Sequence, residues 1–230
     1  TFLAILLGTI IGGSLILTAD GTLIVSAVII GLAVLGFITC FGIPSAPAAS
    51  PGLRINPNLL QGTWNIIRKA RERRDIFLSM LGISWFWLVG ASFQAQFPGF
   101  TKDILGADEN VVVVFLILFA VGIGAGSLLC NIILKGEISA KYVPFGALGM
   151  TLFIIDMYFA TRGLQATPGA ALTGVGMFLA APGNWRIMFD LLAVAVCGGI
   201  FIVPLYSILQ SRSDVSHRSR SIAANNILNA

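Results

Sequence analysis

Charge is what this sequence has least of. Only 10% of its 230 residues are Asp, Glu, Lys or Arg, against roughly 25% in an ordinary soluble domain. Hydrophobic residues make up 57%. A soluble fold of this length has no interior large enough for that much apolar surface, so the chain reads as a membrane protein.

Reactive side chains are equally scarce. The single histidine, His217, sits in a basic segment and reads as solvated. Cys40, Cys130 and Cys197 all lie in apolar runs, with no CxxC or Cys/His spacing to suggest a disulfide or a metal site. A phosphate-cradling glycine loop and a nucleophile–His–acid set are missing as well. No catalytic residue, metal or cofactor is expected.

What the chain does have is long apolar runs. A spanning helix needs about 20 mostly apolar residues, and six segments qualify, at roughly 1–18, 22–43, 76–98, 110–134, 142–161 and 185–209. A seventh starts near 222. The expected fold is an all-α membrane protein with about six transmembrane helices plus the start of a seventh. Thr1 and Ala230 both lie inside apolar runs, so the chain is expected to be an internal piece of a longer protein.

Orientation follows from the basic residues, because short cytoplasmic loops concentrate Lys and Arg. With six spans, the connections 44–75, 135–141 and 210–221 share one side. They hold Arg54, Arg68, Lys69, Arg71, Arg73, Arg74, Lys135, Lys141, Arg212, Arg218 and Arg220, whereas the opposite side has only Lys102, Arg162 and Arg186. The net charge of +4 is therefore a topology signal, and no nucleic-acid partner is implied. The asymmetry also keeps the Gly/Ala-rich stretch 166–183 as an outer loop, partly helical, because a further span there would move the Arg-rich 210–221 segment outside.

The connection 44–75 divides the chain. After a Pro/Ser-rich linker, Leu59, Leu60, Trp64, Ile67 and Ala70 recur at helical spacing ahead of a basic cluster. This reads either as a solvated basic connector or as an amphipathic helix lying on anionic membrane lipids.

Ionisable residues inside a span are functional candidates by default. Asp156 stands near the outer end of its helix, either paired with Arg162 or capping a neighbouring helix, or else part of a gate. Asp190 lies one helical turn from Arg186, so the two can meet on one face as an outer-gate pair or as simple anchoring. Trp85 and Trp87 fall in mid-helix, followed by Gln94 and Gln96. Two indoles at i and i+2 point to different faces, so at most one is expected to face a cavity. Gly122 and Gly126 permit a close helix crossing. Gly198, Gly199 and Pro204 mark a helix expected to be locally weakened, and Pro98-Gly99 is expected to end the third span.

Lys135, Glu137 and Lys141 form a short charged cytoplasmic hinge between a Gly-rich helix and a Pro-containing helix start. That pattern resembles the signature between helices eight and nine of major facilitator superfamily transporters. The stretches "GEISAKYVPFGALGMT", "IIDMYFATRG", "GGIFIVPLYSILQSRS" and "HRSRSIAANNILNA" further resemble the lysophospholipid transporter family, especially the transporter part of fusions with an acyltransferase and acyl-carrier-protein synthetase.

The resemblance implies a partial superfamily bundle: residues 1–43 as the last two helices of the N-terminal half, 44–75 as the inter-half linker, and 76–230 as the first four helices of the C-terminal half with the start of the fifth. It implies a lipid substrate, lysophosphatidylethanolamine above all, carried inward across a bacterial inner membrane by alternating access. It also implies acyltransferase and synthetase domains in the parent chain. The His-x4-Asp motif of such an acyltransferase is absent, since Ile222 stands five positions after His217.

By analogy with cavity-lining helices of the superfamily, Trp85, Gln94, Asn131, Asp190, Asn225 and Asn226 are expected along the substrate path. Asp156, Arg162, Arg186 and Asp190 are the gating or ion-pair candidates. A hydrophobic-drug exporter of the same superfamily remains the alternative. A membrane-embedded acyltransferase or a purely structural subunit fits less well.

Overall fold

The computed structural model describes residues 2–45, 61, 64, 67, 68, 70–167, 169–213 and 218–229. Its elements are all helical: α1 (Phe2–Ile16), α2 (Gly21–Cys40), α3 (Arg74–Gly99), α4 (Glu109–Leu134), α5 (Val143–Thr161), the short α6 (Val175–Ala180), α7 (Pro182–Arg212) and α8 (Arg218–Asn229). Among the described residues, five helices are long and apolar enough to cross a membrane: α2, α3 with its extension to Ile104, α4, α5 and α7. The described part of α1 has 15 residues. At 1.5 Å per residue that is about 22 Å, short of the hydrocarbon thickness.

Several starts and stops have a local cause. Asp108 caps α4 by accepting from the Asn110 and Val111 backbone N–H groups, which would otherwise lack partners. Lys135 ends the same helix in the left-handed region (φ 49°), followed by Gly136 at φ 79°. The Glu137 N–H returns to the Leu134 carbonyl at 2.8 Å. Pro144 and Pro182 stand at the first turns of α5 and α7, where a missing N–H costs nothing.

Two helices carry an internal proline, and the α-helical part of α3 ends at Gly99, as the Pro98-Gly99 pair leads one to expect. The α3 helix runs through Pro98 and widens into a π-helical turn at Phe100–Ile104. Helix α7 continues through Gly198, Gly199 and Pro204 for 31 residues, held by neighbours along much of its length.

Those glycines serve close packing. A Cβ on Gly199 would stand 2.6 Å from the Ile123 carbonyl oxygen, and one on Gly126 would collide with the Val196 carbonyl. Gly122 faces Ala195 in the same crossing. Small residues thus let α4 and α7 meet backbone to backbone, which in lipid supplies the dispersion contact that apolar burial cannot. On another side of α7, Gly146 and Gly149 of α5 abut Cys197.

Helix α7 is the hub, packing on α3, α4, α5 and α8. Two cores form along it. The first gathers Phe97, Phe115, Phe119, Phe178, Ile187 and Leu191; the second gathers Met80, Ile83, Phe86, Phe201, Leu205 and Ala224. Helix α1 packs on α2 and on α4, with Gly13 against Val113. Helix α2 is apolar all round and exposed along nearly its whole length, which suits lipid and not water.

Residues 162–167 and 169–181 fold back over one end of the bundle. Thr173 bridges to Ala107, exchanging hydrogen bonds with Gly106 and Asp108. Phe178 from α6 plugs the first core at 2% exposure. This loop, with its one short helix, matches the expected partly helical connection. Leu59 and Leu60 lie outside the described residues; Trp64, Ile67, Arg68 and Ala70 are helical, with Trp64 exposed.

Candidate functional site

A cleft of about 800 Å³ opens between α3, α7 and α8. Its α3 wall is Leu81, Ser84, Trp85, Trp87, Leu88 and Ala91. Most of these recur at i, i+3, i+4 and i+7, the spacing of one helix face. Tyr206 of α7 and Asn226, Leu228 and Asn229 of α8 close the other sides. Such a volume falls within the range of small-molecule sites.

Hydrogen bonds lock the cleft's polar groups. The Trp87 indole N–H donates to the Tyr206 hydroxyl at 2.9 Å. The Ser84 hydroxyl donates to Asn229 Oδ1 at 2.7 Å. The lining thus mixes aliphatic side chains with uncharged donors and acceptors, and among the described residues it carries no ionisable side chain besides the phenol of Tyr206. The two indoles both line it, which corrects the expectation that only one could. Trp87 is drawn to the cleft's edge by its bond to Tyr206.

A second cavity, of about 290 Å³, lies towards the 162–181 loop. Phe93, Phe97, Phe100 and Phe115 line it with Ile187 and Leu191, and Ser92 and Gln96 supply its few polar atoms. It is a greasy slot for a short apolar moiety.

The charged candidates form a separate group. Arg186 of α7 reaches across to α5 and grips Asp156 with two bonds, Nε to Oδ2 at 3.1 Å and Nη2 to Oδ1 at 2.5 Å. Asp190 lies beneath them, 1% exposed, with Oδ2 lacking any donor. The expected local pairings, Arg162 with Asp156 and Arg186 with Asp190, are replaced by this interhelical bridge. Two N–H bonds from one guanidinium give this bridge the strong bidentate form. Arg162 is exposed and in no ion pair among the described residues. Trp185 anchors the start of α7 by donating to the Leu179 carbonyl at 2.9 Å.

The other expected residues scatter. Gln94 and Asn131 are exposed and line neither cavity. Asn225 is 3% exposed with Oδ1 unpartnered, facing inward beside Ala224, while Asn226 faces the cleft. Lys135, Glu137 and Lys141 are all exposed in the hinge, with the Lys141 ammonium 5.6 Å from the Tyr142 ring centre. At the same end of the bundle, Asp75 of α3 meets Arg212 of α7 at 3.4 Å. Tyr206, Ser84 and Asn229 are not singled out by the sequence.

No family model and no solved structure matches the chain. Curated proteins do. The chain is 26% identical over 241 residues to Lysophospholipid transporter LplT of Escherichia coli O1:K1 / APEC, an alignment covering 99% of this chain and 51% of that protein. It is 26% identical over 232 residues to Lysophospholipid transporter LplT of Shigella sonnei (strain Ss046), with the same coverage. The chain spans about half the length of the curated relatives it matches. Together with its apolar helices, this makes the chain a multi-pass membrane protein that is similar, over nearly its whole length, to these lysophospholipid transporters.

Proposed function

We propose that this chain forms the middle of a transporter that moves lysophospholipid, of the lysophosphatidylethanolamine kind, inward across a bacterial inner membrane by alternating access. The cleft between α3, α7 and α8 carries the proposal. A lysophospholipid has one acyl chain and a small polar head without net charge in its ethanolamine form. A lining of leucine and alanine interrupted by Ser84, Trp87, Tyr206 and Asn226 offers apolar contact and hydrogen bonds together. A site for a sugar acid or an inorganic ion would want fixed charge, which the described residues lining this cleft do not supply.

In this reading residues 1–43 close the N-terminal half, 44–75 connect the halves, and 76–230 open the C-terminal half. The packing of α1 on α4 supports it, since it puts helices from both halves in contact beside the hub. Access then alternates as the halves rock about that seam. The hinge at Lys135–Lys141 lies on the cytoplasmic side, and the basic 44–75 segment meets anionic headgroups there.

The test compares three cargoes in vesicles containing the complete protein: labelled lysophosphatidylethanolamine, its two-chain counterpart and a hydrophobic cationic dye. Selective, protein-dependent inward movement of the single-chain lipid is expected. Outward movement of the dye, with the lipids stationary, would replace this reading with drug export.

A further inference from the structure

Buried glycines in this bundle have a packing reason, with one exception. Gly122, Gly126 and Gly199 stand where a Cβ would strike the neighbouring helix. Gly90 of α3 is buried too, yet a Cβ there would meet nothing within 4 Å. Among the described residues it is the only buried glycine of that kind. It lies in mid-helix and its φ is not positive, so neither a close crossing nor a turn calls for it. Glycine is also a poor helix former. What its missing side chain provides is space.

That space belongs to a narrow cavity of about 30 Å³, whose walls include Trp85, Gly90, Phe93, Ile123, Met150 and Gly198. Trp85 is also a wall of the large cleft, and Phe93 is also a wall of the phenylalanine-lined slot. The three spaces thus follow one another along α3 and share aromatic partitions. Ser84 in the cleft and Gln96 in the slot are 12 positions apart, about 18 Å along the helix. A bilayer's hydrocarbon core is about 30 Å thick for two leaflets, so one acyl chain covers about 15 Å. Polarity falls along the same line. The cleft offers Ser84, Tyr206 and Asn226, whereas the narrow cavity has no polar group among its described lining side chains except the Trp85 indole.

We propose that these spaces form a track for a single acyl chain, and that Gly90 and Phe93 set the chain length the protein accepts. The polar head lies in the cleft, the chain passes Gly90, and its end enters the slot beyond Phe93. The inference rests on the lipid reading of the cleft. Trp85 is exposed and Met150 is unbranched, with three rotatable bonds, so both can turn aside to widen the narrow cavity for a methylene chain. A chain long enough to pass Phe93 gains the apolar contacts of the slot. A shorter one stops beside Gly90.

The test uses the complete protein in lipid nanodiscs and a series of saturated lysophosphatidylethanolamines that differ only in acyl length. Each carries a photoreactive group at the chain end. Affinity is read from light-dependent attachment, and its site from mass spectrometry of the digested protein. In the wild type, long chains should attach around Phe93 and Gln96, and short ones around Trp85 and Gly90. Gly90→Leu should lower the ratio of long-chain to short-chain affinity by about tenfold, the scale of one methylene contact in an apolar pocket. Gly90→Ala, which adds one methyl in open space, should move the ratio the same way by less, and serves if the leucine variant fails to fold. Phe93→Ala should shift the preference towards longer chains. Wild-type attachment indifferent to acyl length, or a ratio unchanged in both Gly90 variants, would overturn the proposal. Inward movement in vesicles is measured separately with the same protein. Chain ends in the slot without movement would remove the transport reading and keep the track. Movement with chain ends attached elsewhere would do the reverse.

Discussion

Trp87 and Tyr206, 119 residues apart in the chain, share a hydrogen bond of 2.9 Å across the seam between α3 and α7. The bond ties the aromatic wall of the cleft to the hub helix. Neutral interhelical bonds of this type contribute only about 0.6 kcal/mol on average in a bilayer. Trp87→Phe is therefore expected to leave the thermal midpoint in detergent almost unchanged while lowering lysophospholipid movement several-fold. Tyr206→Phe should behave alike, and the double variant should be little worse than either single one, because all three remove the same bond.

The α4–α7 crossing predicts a sharp contrast between neighbouring glycines. A Cβ on Gly126 runs into the Val196 backbone, whereas Gly124 has nothing within 4 Å. Gly126→Ala should cost about 1–3 kcal/mol through overpacking. Gly124→Ala should be neutral, or gain up to about 1 kcal/mol from helix propensity. Thermal unfolding of the two variants in detergent decides it.

The charge cluster predicts an asymmetry. Asp156→Asn leaves Arg186 with Asp190 as an acceptor one turn away, so each remaining charge keeps a partner. Arg186→Gln leaves two carboxylates facing each other with no cation between them. The second substitution should lower thermal stability clearly more than the first. Equal losses would mean that Asp190 does not sense Arg186.

Topology is testable without any transport assay. In a background with Cys40, Cys130 and Cys197 replaced, Lys141→Cys should react with an impermeant thiol reagent only from the cytoplasmic side. Leu164→Cys, in the exposed outer loop, should react only from the opposite side. The reverse labelling would invert the orientation drawn from the basic residues.

The helices were legible because long apolar runs and their polar interruptions are local features. The Gly122–Gly126 crossing was legible too, since small residues four apart mark a face. Pairings across helices were not. Arg186 and Asp190 satisfied the one-turn rule, yet the carboxylate that fits the guanidinium fork is Asp156, 30 residues earlier. Tyr206 sits in "VPLYSIL" with nothing nearby to flag it, and its partner becomes evident only when α3 lies alongside. The end of the α-helical part of α3 at Pro98-Gly99 was legible as a local signal, whereas the π turn at Phe100–Ile104 that prolongs it was not.

The most direct test of the account is inward movement of labelled lysophosphatidylethanolamine in vesicles holding the complete protein, read as protection from an external quencher. The wild type is compared with Trp87→Phe and with Asn226→Leu, which removes the cleft's exposed amide. The account predicts protein-dependent protection that falls in both variants while their thermal midpoints hold. Protection that is absent in the wild type, or undiminished in both variants, would contradict the cleft as the path of the lipid.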